Sequence, residues 1–173
     1  MPRWLNAANL LTLLRLILVP FVILALLTGR HTLALALFAA AAFTDVLDGA
    51  VARRFRLATP LGAWLDPVAD KCLMSGVFLA LAAARAVPWW LVVIVFGRDF
   101  YMLAGIATVM LLTPIRKFPP SIWGKMSTFV QVVTAVVAMA GNSAAMLWPC
   151  AAFTIWSGVH YTWRTLSELR RPA

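Results

Sequence analysis

Long apolar runs, interrupted only by prolines, glycines or charged residues, leave this chain few ways to fold. Six can be marked out, over roughly 9–28, 33–53, 62–84, 88–112, 122–141 and 144–163. Each reaches the ~20 residues an α-helix needs to cross the hydrocarbon of a bilayer. Residues are 63% hydrophobic and 12% charged, and an ordinary soluble domain carries about twice that charge. So few polar groups cannot cover a soluble surface. The expectation is an all-α, polytopic membrane protein with six transmembrane helices. A short interfacial segment, residues 1–8 with Trp4 as its anchor, precedes the first. No repeat or linker divides the chain, so 1–173 reads as a single membrane domain.

The charge balance is lopsided, with 15 Lys+Arg against 6 Asp+Glu and a net charge of +9. In a soluble protein this would suggest nucleic acid, but no nucleic-acid-binding pattern is present and none is expected as a partner. Basic residues of membrane proteins gather in cytoplasmic loops beside anionic lipid. Arg3, Arg53, Arg54, Arg56, Arg116, Lys117, Arg164, Arg170 and Arg171 fall on one side of the six-span arrangement, and only Arg30 and Arg85 on the other. This bias places both termini, and the turn between the second and third spans, in the cytoplasm. Cys72 and Cys150 are far apart in apolar runs with neither metal-ligand nor disulfide spacing, and His31 and His160 are likewise isolated, at positions expected near the membrane interfaces.

The acids carry most of the functional information. Glu168 lies in the tail, while Asp45, Asp48, Asp66, Asp70 and Asp99 fall inside apolar spans. Each ionisable group there costs roughly 2.5–3.5 kcal/mol even on the lenient insertion scale. Asp45, Asp48, Gly49 and Ala52 share one helical face with Arg53 close by, and Gly62, Asp66 and Asp70 share another. A short connection joins the two helices, so the acidic faces can meet near the cytoplasmic end. Four converging carboxylates repel. Two divalent cations, Mg²⁺ or Mn²⁺, relieve that repulsion, because hard cations suit carboxylate oxygens and no soft ligand is near. Paired metals about 3.5–4 Å apart promote in-line displacement at phosphorus. Two other readings of the same residues stand beside this one. The acids can pair with Arg53, Lys71 and Arg98 and glue helices together, or they can line the path of an ion-coupled transporter.

The full pattern, Asp45-x2-Asp48-Gly49-x2-Ala52-Arg53-x8-Gly62-x3-Asp66-x3-Asp70, resembles the signature of the CDP-alcohol phosphatidyltransferase family, with every fixed position present. Asn9-Leu-Leu-Thr12-Leu-Leu-Arg15 resembles the first helix of that family. The resemblance implies a six-helix membrane enzyme, usually a homodimer embedded in lipid, with a cytoplasm-facing cavity. Its reaction moves the phosphatidyl group of CDP-diacylglycerol to an alcohol and releases CMP. Position by position, Asp45, Asp48, Asp66 and Asp70 resemble the ligands of two divalent cations. Asp48, Gly49, Ala52, Arg53, Gly62 and Asp66 resemble the cytidine-diphosphate pocket. Asp70 also resembles the base that deprotonates the attacking hydroxyl.

The stretches Asp66-Pro-Val-Ala-Asp70-Lys71 and Gly124-Lys125-x5-Gln131 resemble the branches of the family whose acceptors are glycerol 3-phosphate and phosphatidylglycerol. Lys71, Arg98 and Lys125 are the expected contacts for the acceptor's phosphate. The triplet Gly97-Arg98-Asp99 is closer to the branch that makes cardiolipin from phosphatidylglycerol. Glycerol 3-phosphate is the first expectation for the acceptor and phosphatidylglycerol the second.

Overall fold

A computed structural model describes the backbone of residues 7–55, 60–112 and 122–169, and the side chains within them except those of 7–9, 45–65, 106–107, 109–112, 165–166 and 168–169. Six helices account for nearly all of it: α1 (Ala7–Leu27), α2 (His31–Phe55), α3 (Pro60–Ala83), α4 (Trp89–Leu112), α5 (Ile122–Met139) and α6 (Ala144–Leu169), and no strand occurs among the described residues. The all-α expectation holds, and each helix lies on one of the six apolar runs. The exception in extent is α6, which continues past 163 to Leu169. Its last turns alternate polar and apolar residues, and there the Ser167 hydroxyl donates to the Arg164 carbonyl at 2.7 Å.

Among the described residues, two helical stretches are long and apolar enough by themselves to cross a bilayer, Leu10–Leu27 and Ile122–Met139. A shorter apolar stretch, His31–Thr44, lies in the described part of α2. Six helices are therefore present, but six spans do not follow from helix composition.

The helices form two compact units. The first holds α1, α2 and α3 through Ala86, with Ala138–Gly141; the second holds Val87–Val137 and the chain from Asn142 onward. In the first, α2 and α3 both pack on α1. Buried residues on α1 recur as Thr12, Arg15, Val19, Val22 and Leu26, steps of three or four that keep them on one face. The opposite face exposes Leu10, Leu13, Ile17, Phe21 and Leu24. The helix is thus apolar outside and, at its N-terminal half, polar inside, the reverse of a soluble amphipathic helix. On α3, Ala69, Leu73, Val77, Phe78 and Leu81 are buried. A Cβ on Gly76 of α3 would stand 2.7 Å from Ile23 Cδ1, so α1 and α3 approach too closely there for a larger residue without a shift of Ile23.

In the second unit α4 packs on α6, and aromatic groups mark both ends. Trp90 and Trp148 meet at 5.4 Å between ring centroids at the end where α4 and α6 begin. Trp123 contacts Trp156 edge-on at 5.9 Å, and His160 lies between Trp123 and Trp163, at the end where α5 begins. Along α6, Trp148 and Trp163 are separated by about 22 Å at 1.5 Å per residue.

Three helices end on one device. Gly29, Arg85 and Gly141 adopt φ of 72°, 58° and 85°. At each, the next N–H reaches back across the last turn: Arg30 to the Ala25 carbonyl at 2.8 Å, Ala86 to Leu81 at 2.8 Å and Asn142 to Val137 at 3.1 Å. This left-handed cap satisfies carbonyls that the helix end would otherwise orphan. A side chain in that conformation costs about 1–2 kcal/mol. Gly29→Ala is therefore expected to lower the thermal midpoint in detergent, whereas Arg85→Gly, which relieves strain already present, is expected to raise it.

Candidate functional site

The first unit carries the acidic pattern. Asp45, Asp48, Gly49, Ala52 and Arg53 occupy unbroken helix in α2, at register positions that share a face, and Gly62 lies near the start of α3. Their side chains lie outside the described residues, so the meeting of the two acidic faces does as well. Asp66, Asp70 and Lys71 are described. All three are half-buried, and Asp66 and Asp70 are one turn apart on α3. No group of three potential metal ligands stands among the described residues, since only these two of the four expected carboxylates are among them.

What α1 presents to this site was not foreseen. Thr12, 1% exposed, donates its hydroxyl proton to Asp66 Oδ1 at 2.6 Å. Arg15 follows one turn later on the same face and is also 1% exposed. The contact falls in the range of hydroxyl hydrogen bonds to carboxylate oxygens. The donor set at Asp66, carboxylate oxygens beside a hydroxyl, is hard, and it fits a hard divalent cation better than a soft one. The sequence signal for Thr12 was present in Asn9-x2-Thr12-x2-Arg15, where a spacing of three puts the polar residues on one face. Nothing in that spacing names the partner.

The second unit carries a basic site. Arg98 on α4 is 8% exposed, and its Nη1 donates to Asp99 Oδ1 at 2.8 Å. Its Nη2 donates to Ser157 Oγ on α6, also at 2.8 Å. A Cβ on Gly124 would sit 3.5 Å from Nη2, and one on Gly158 would sit 3.8 Å from Cγ. The guanidinium thus runs along backbone where glycines of α5 and α6 leave it room. A cavity of about 290 Å³ opens between α4 and α6, with Arg98 in its lining among Val93, Ile94, Tyr101 and Ile155. Lys125, next to Gly124, is exposed. Of the three expected acceptor contacts, Arg98 and the Gly124–Lys125 step are brought together, and Lys71 belongs to the first unit.

Deeper between α5 and α6, Gln131 is 3% exposed and donates through Nε2 to Thr154 Oγ1 at 3.2 Å. Ser127, fully buried, lies one turn before Gln131, with its hydroxyl 3.5 Å from Thr154 Oγ1. Sequence reasoning noticed Gln131 but neither Ser157 nor Thr154. Isolated hydroxyls in an apolar helix carry no periodic signal.

Comparison with known proteins agrees with the acidic pattern. The sequence profile described as CDP-alcohol phosphatidyltransferase matches residues 5–158. A protein from Mycobacterium tuberculosis named probable phosphatidylglycerophosphate synthase is 38% identical, covering 95% of this chain and 83% of that one. A CDP-diacylglycerol–glycerol-3-phosphate 3-phosphatidyltransferase from Pseudomonas fluorescens is 35% identical over 95% of this chain and 89% of its own. A probable CMP-forming cardiolipin synthase from Drosophila melanogaster is 34% identical over 73% of this chain and 44% of its own.

The α5–α6 hydrogen bond has a measurable consequence. Thr154→Val keeps the shape but leaves the buried Gln131 amide without its closest acceptor, which costs about 1–3 kcal/mol. The variant is expected to melt earlier in detergent than wild type, and Gln131→Leu in the same background is expected to recover most of the loss.

Proposed function

The chain belongs to the CDP-alcohol phosphatidyltransferase family, and from that premise we propose that it transfers the phosphatidyl group of CDP-diacylglycerol to glycerol 3-phosphate, releasing CMP and forming phosphatidylglycerophosphate. The observation that carries the reading is the signature from Asp45 to Asp70, complete and wholly inside the matched residues. Relatives named phosphatidylglycerophosphate synthase and CDP-diacylglycerol–glycerol-3-phosphate 3-phosphatidyltransferase, 38% and 35% identical, support that acceptor by identity, while relatives named cardiolipin synthase cover 93–94% of the chain at 30% identity. Membership of an enzyme family leaves the ion-coupled transporter alternative without support.

Roles follow from the residue chemistry. Asp45, Asp48, Asp66 and Asp70 hold two divalent cations, Mg²⁺ or Mn²⁺. When bound, these supply charge neutralisation at the diphosphate, and such electrostatic stabilisation is usually the largest single contribution to catalysis. Asp48, Gly49, Ala52, Arg53, Gly62 and Asp66 form the cytidine-diphosphate pocket, where small residues admit the nucleotide and Arg53 offers donors to phosphate. Asp70 takes the proton of the acceptor's hydroxyl. The freed oxygen attacks the phosphorus bearing diacylglycerol, and the bond to CMP breaks. Arg98, Lys71 and Lys125 bind the acceptor's phosphate.

The setting is a single membrane domain with six spans, working as a homodimer in lipid, with termini and active site in the cytoplasm. Support comes from the basic-residue bias, from exposed apolar side chains on α1, and from aromatic groups at both ends of the second unit. Trp and Tyr concentrate at both surfaces of a bilayer.

A second reading has its own observation. Arg98 is already paired with Asp99 at 2.8 Å, which offsets one unit of charge. A site so balanced suits the single charge of a phosphodiester, hence phosphatidylglycerol as acceptor and cardiolipin as product.

Activity is expected to vanish in excess EDTA and return with Mg²⁺ or Mn²⁺. Asp70→Asn is expected to abolish turnover while CDP-diacylglycerol still binds; wild-type turnover in that variant overturns its role as base. For the acceptor, product is measured from glycerol 3-phosphate and from phosphatidylglycerol in wild type and Arg98→Lys. Lysine cannot reproduce a guanidinium's two-pronged contact. Loss of one charged hydrogen bond, about 1.5–3 kcal/mol, is expected to raise KM for glycerol 3-phosphate roughly 10- to 150-fold, with little change for CDP-diacylglycerol. Cardiolipin formed from phosphatidylglycerol, with nothing from glycerol 3-phosphate, decides for the second reading.

A further inference from the structure

Thr12 lies outside the acidic signature, yet its hydroxyl bonds to one of the signature's carboxylates. Other threonines in the chain, such as Thr44, Thr108, Thr134 and Thr162, send their hydroxyl protons to carbonyls three or four residues back in the same helix. Thr12 reaches a carboxylate 54 residues away on another helix, at 2.6 Å, from a side chain that is 1% exposed. Burial on that scale holds the hydroxyl in one place. The geometry also leaves Asp66 able to do more. A carboxylate accepts at about four lone-pair sites over two oxygens, and Thr12 takes one of them on Oδ1.

An aspartate's terminal torsion is broad and poorly fixed by rotamer preference alone. A carboxylate that must present an oxygen in a set direction therefore needs a partner to hold its plane. Such partners behind metal-binding side chains orient the ligand and tune its basicity, and their loss typically costs 10- to 100-fold in metal affinity. Thr12 meets the physical requirements: a single proton to give, a charge-assisted distance, and an anchor in the packed face of α1 that continues through Val19, Val22 and Leu26.

We propose that Thr12 is a positioning residue for cation binding, fixing the plane of the Asp66 carboxylate through Oδ1 so that its remaining lone pairs face a divalent cation. This rests on the reading of Asp66 as a cation ligand. By the same argument α1 is part of the site's frame as well as a membrane helix, since the packing that buries Thr12 sets the direction of Asp66.

The test is Mn²⁺ affinity, read by electron paramagnetic resonance of purified full-length protein, with and without CDP-diacylglycerol. Thr12→Val keeps shape and loses the proton, while Thr12→Ser keeps the proton and loses a methyl. Thr12→Val is expected to weaken Mn²⁺ binding about 10- to 100-fold and Thr12→Ser to stay within a few-fold of wild type. A role in packing alone predicts the reverse order, because serine opens a gap that valine fills. Thr12→Ala replaces valine should the latter not fold, with circular dichroism confirming helix content in every variant. Asp66→Asn separates the two ideas. If Asp66→Asn loses Mn²⁺ and Thr12→Val does not, the positioning role is wrong and Asp66 stays a ligand. If Asp66→Asn binds Mn²⁺ as wild type does, both are wrong.

Discussion

An ionisable or strongly polar side chain inside an apolar helix has to find its partner within reach of that helix, and this requirement organises both units. In the first, the polar end of the α1 stripe, Thr12 and Arg15, is buried on the face that also carries Val19, Val22 and Leu26. Asp66 finds the Thr12 hydroxyl there. In the second, Arg98 takes its neighbour Asp99 and the Ser157 hydroxyl, and Gln131 takes Thr154. Each link joins two helices, or lies beside one that does. Where a helix exposes an apolar face, as α1 does, its association in lipid draws on close packing and on such bonds rather than on apolar burial. The residues that create the desolvation cost are therefore the same ones that hold the helices in register.

Small residues are the other half of that arrangement. Gly76 lets α1 close on α3 at Ile23, and Gly124 and Gly158 leave space for the Arg98 guanidinium and its alkyl stem. A buried arginine needs its length accommodated as well as its charge. A Cβ at either glycine would reach ordinary contact with Arg98, at 3.5 Å from Nη2 or 3.8 Å from Cγ, so only side chains that extend beyond Cβ would press on the charged group.

Much of this was legible beforehand. Apolar runs bounded by glycine, proline and charge gave all six helices, because helix extent in such a chain is set by where backbone hydrogen bonds must be satisfied internally. The end of α6 was missed because Arg164 to Leu169 is helical without being apolar, and hydropathy marks lipid exposure rather than helix. The acidic positions could be read because period 3.6 places them on common faces. The hydroxyl partners could not. Thr12, Ser157 and Thr154 are single polar atoms whose significance depends on which helix lies opposite, and that is a property of packing.

The acceptor resisted the same reading for a related reason. The family signature is a block of residues at fixed spacing, so it can be read as a pattern. Acceptor choice depends instead on how much net charge a guanidinium still offers after its neighbours have taken their share. Arg98 alone reads as a phosphate contact, and Arg98 with Asp99 at 2.8 Å reads as a nearly neutral donor array. Two of its nitrogens are engaged, one with a carboxylate and one with a hydroxyl. A dianionic phosphate gains from displacing that pairing only if a second cation supplies what Asp99 withholds, and exposed Lys125 beside Gly124 is one candidate among the described residues. A phosphodiester has no such requirement. On the proposed reading the balance between the two acceptors turns on Lys125 as much as on Arg98, with the arginine setting direction and the lysine setting charge.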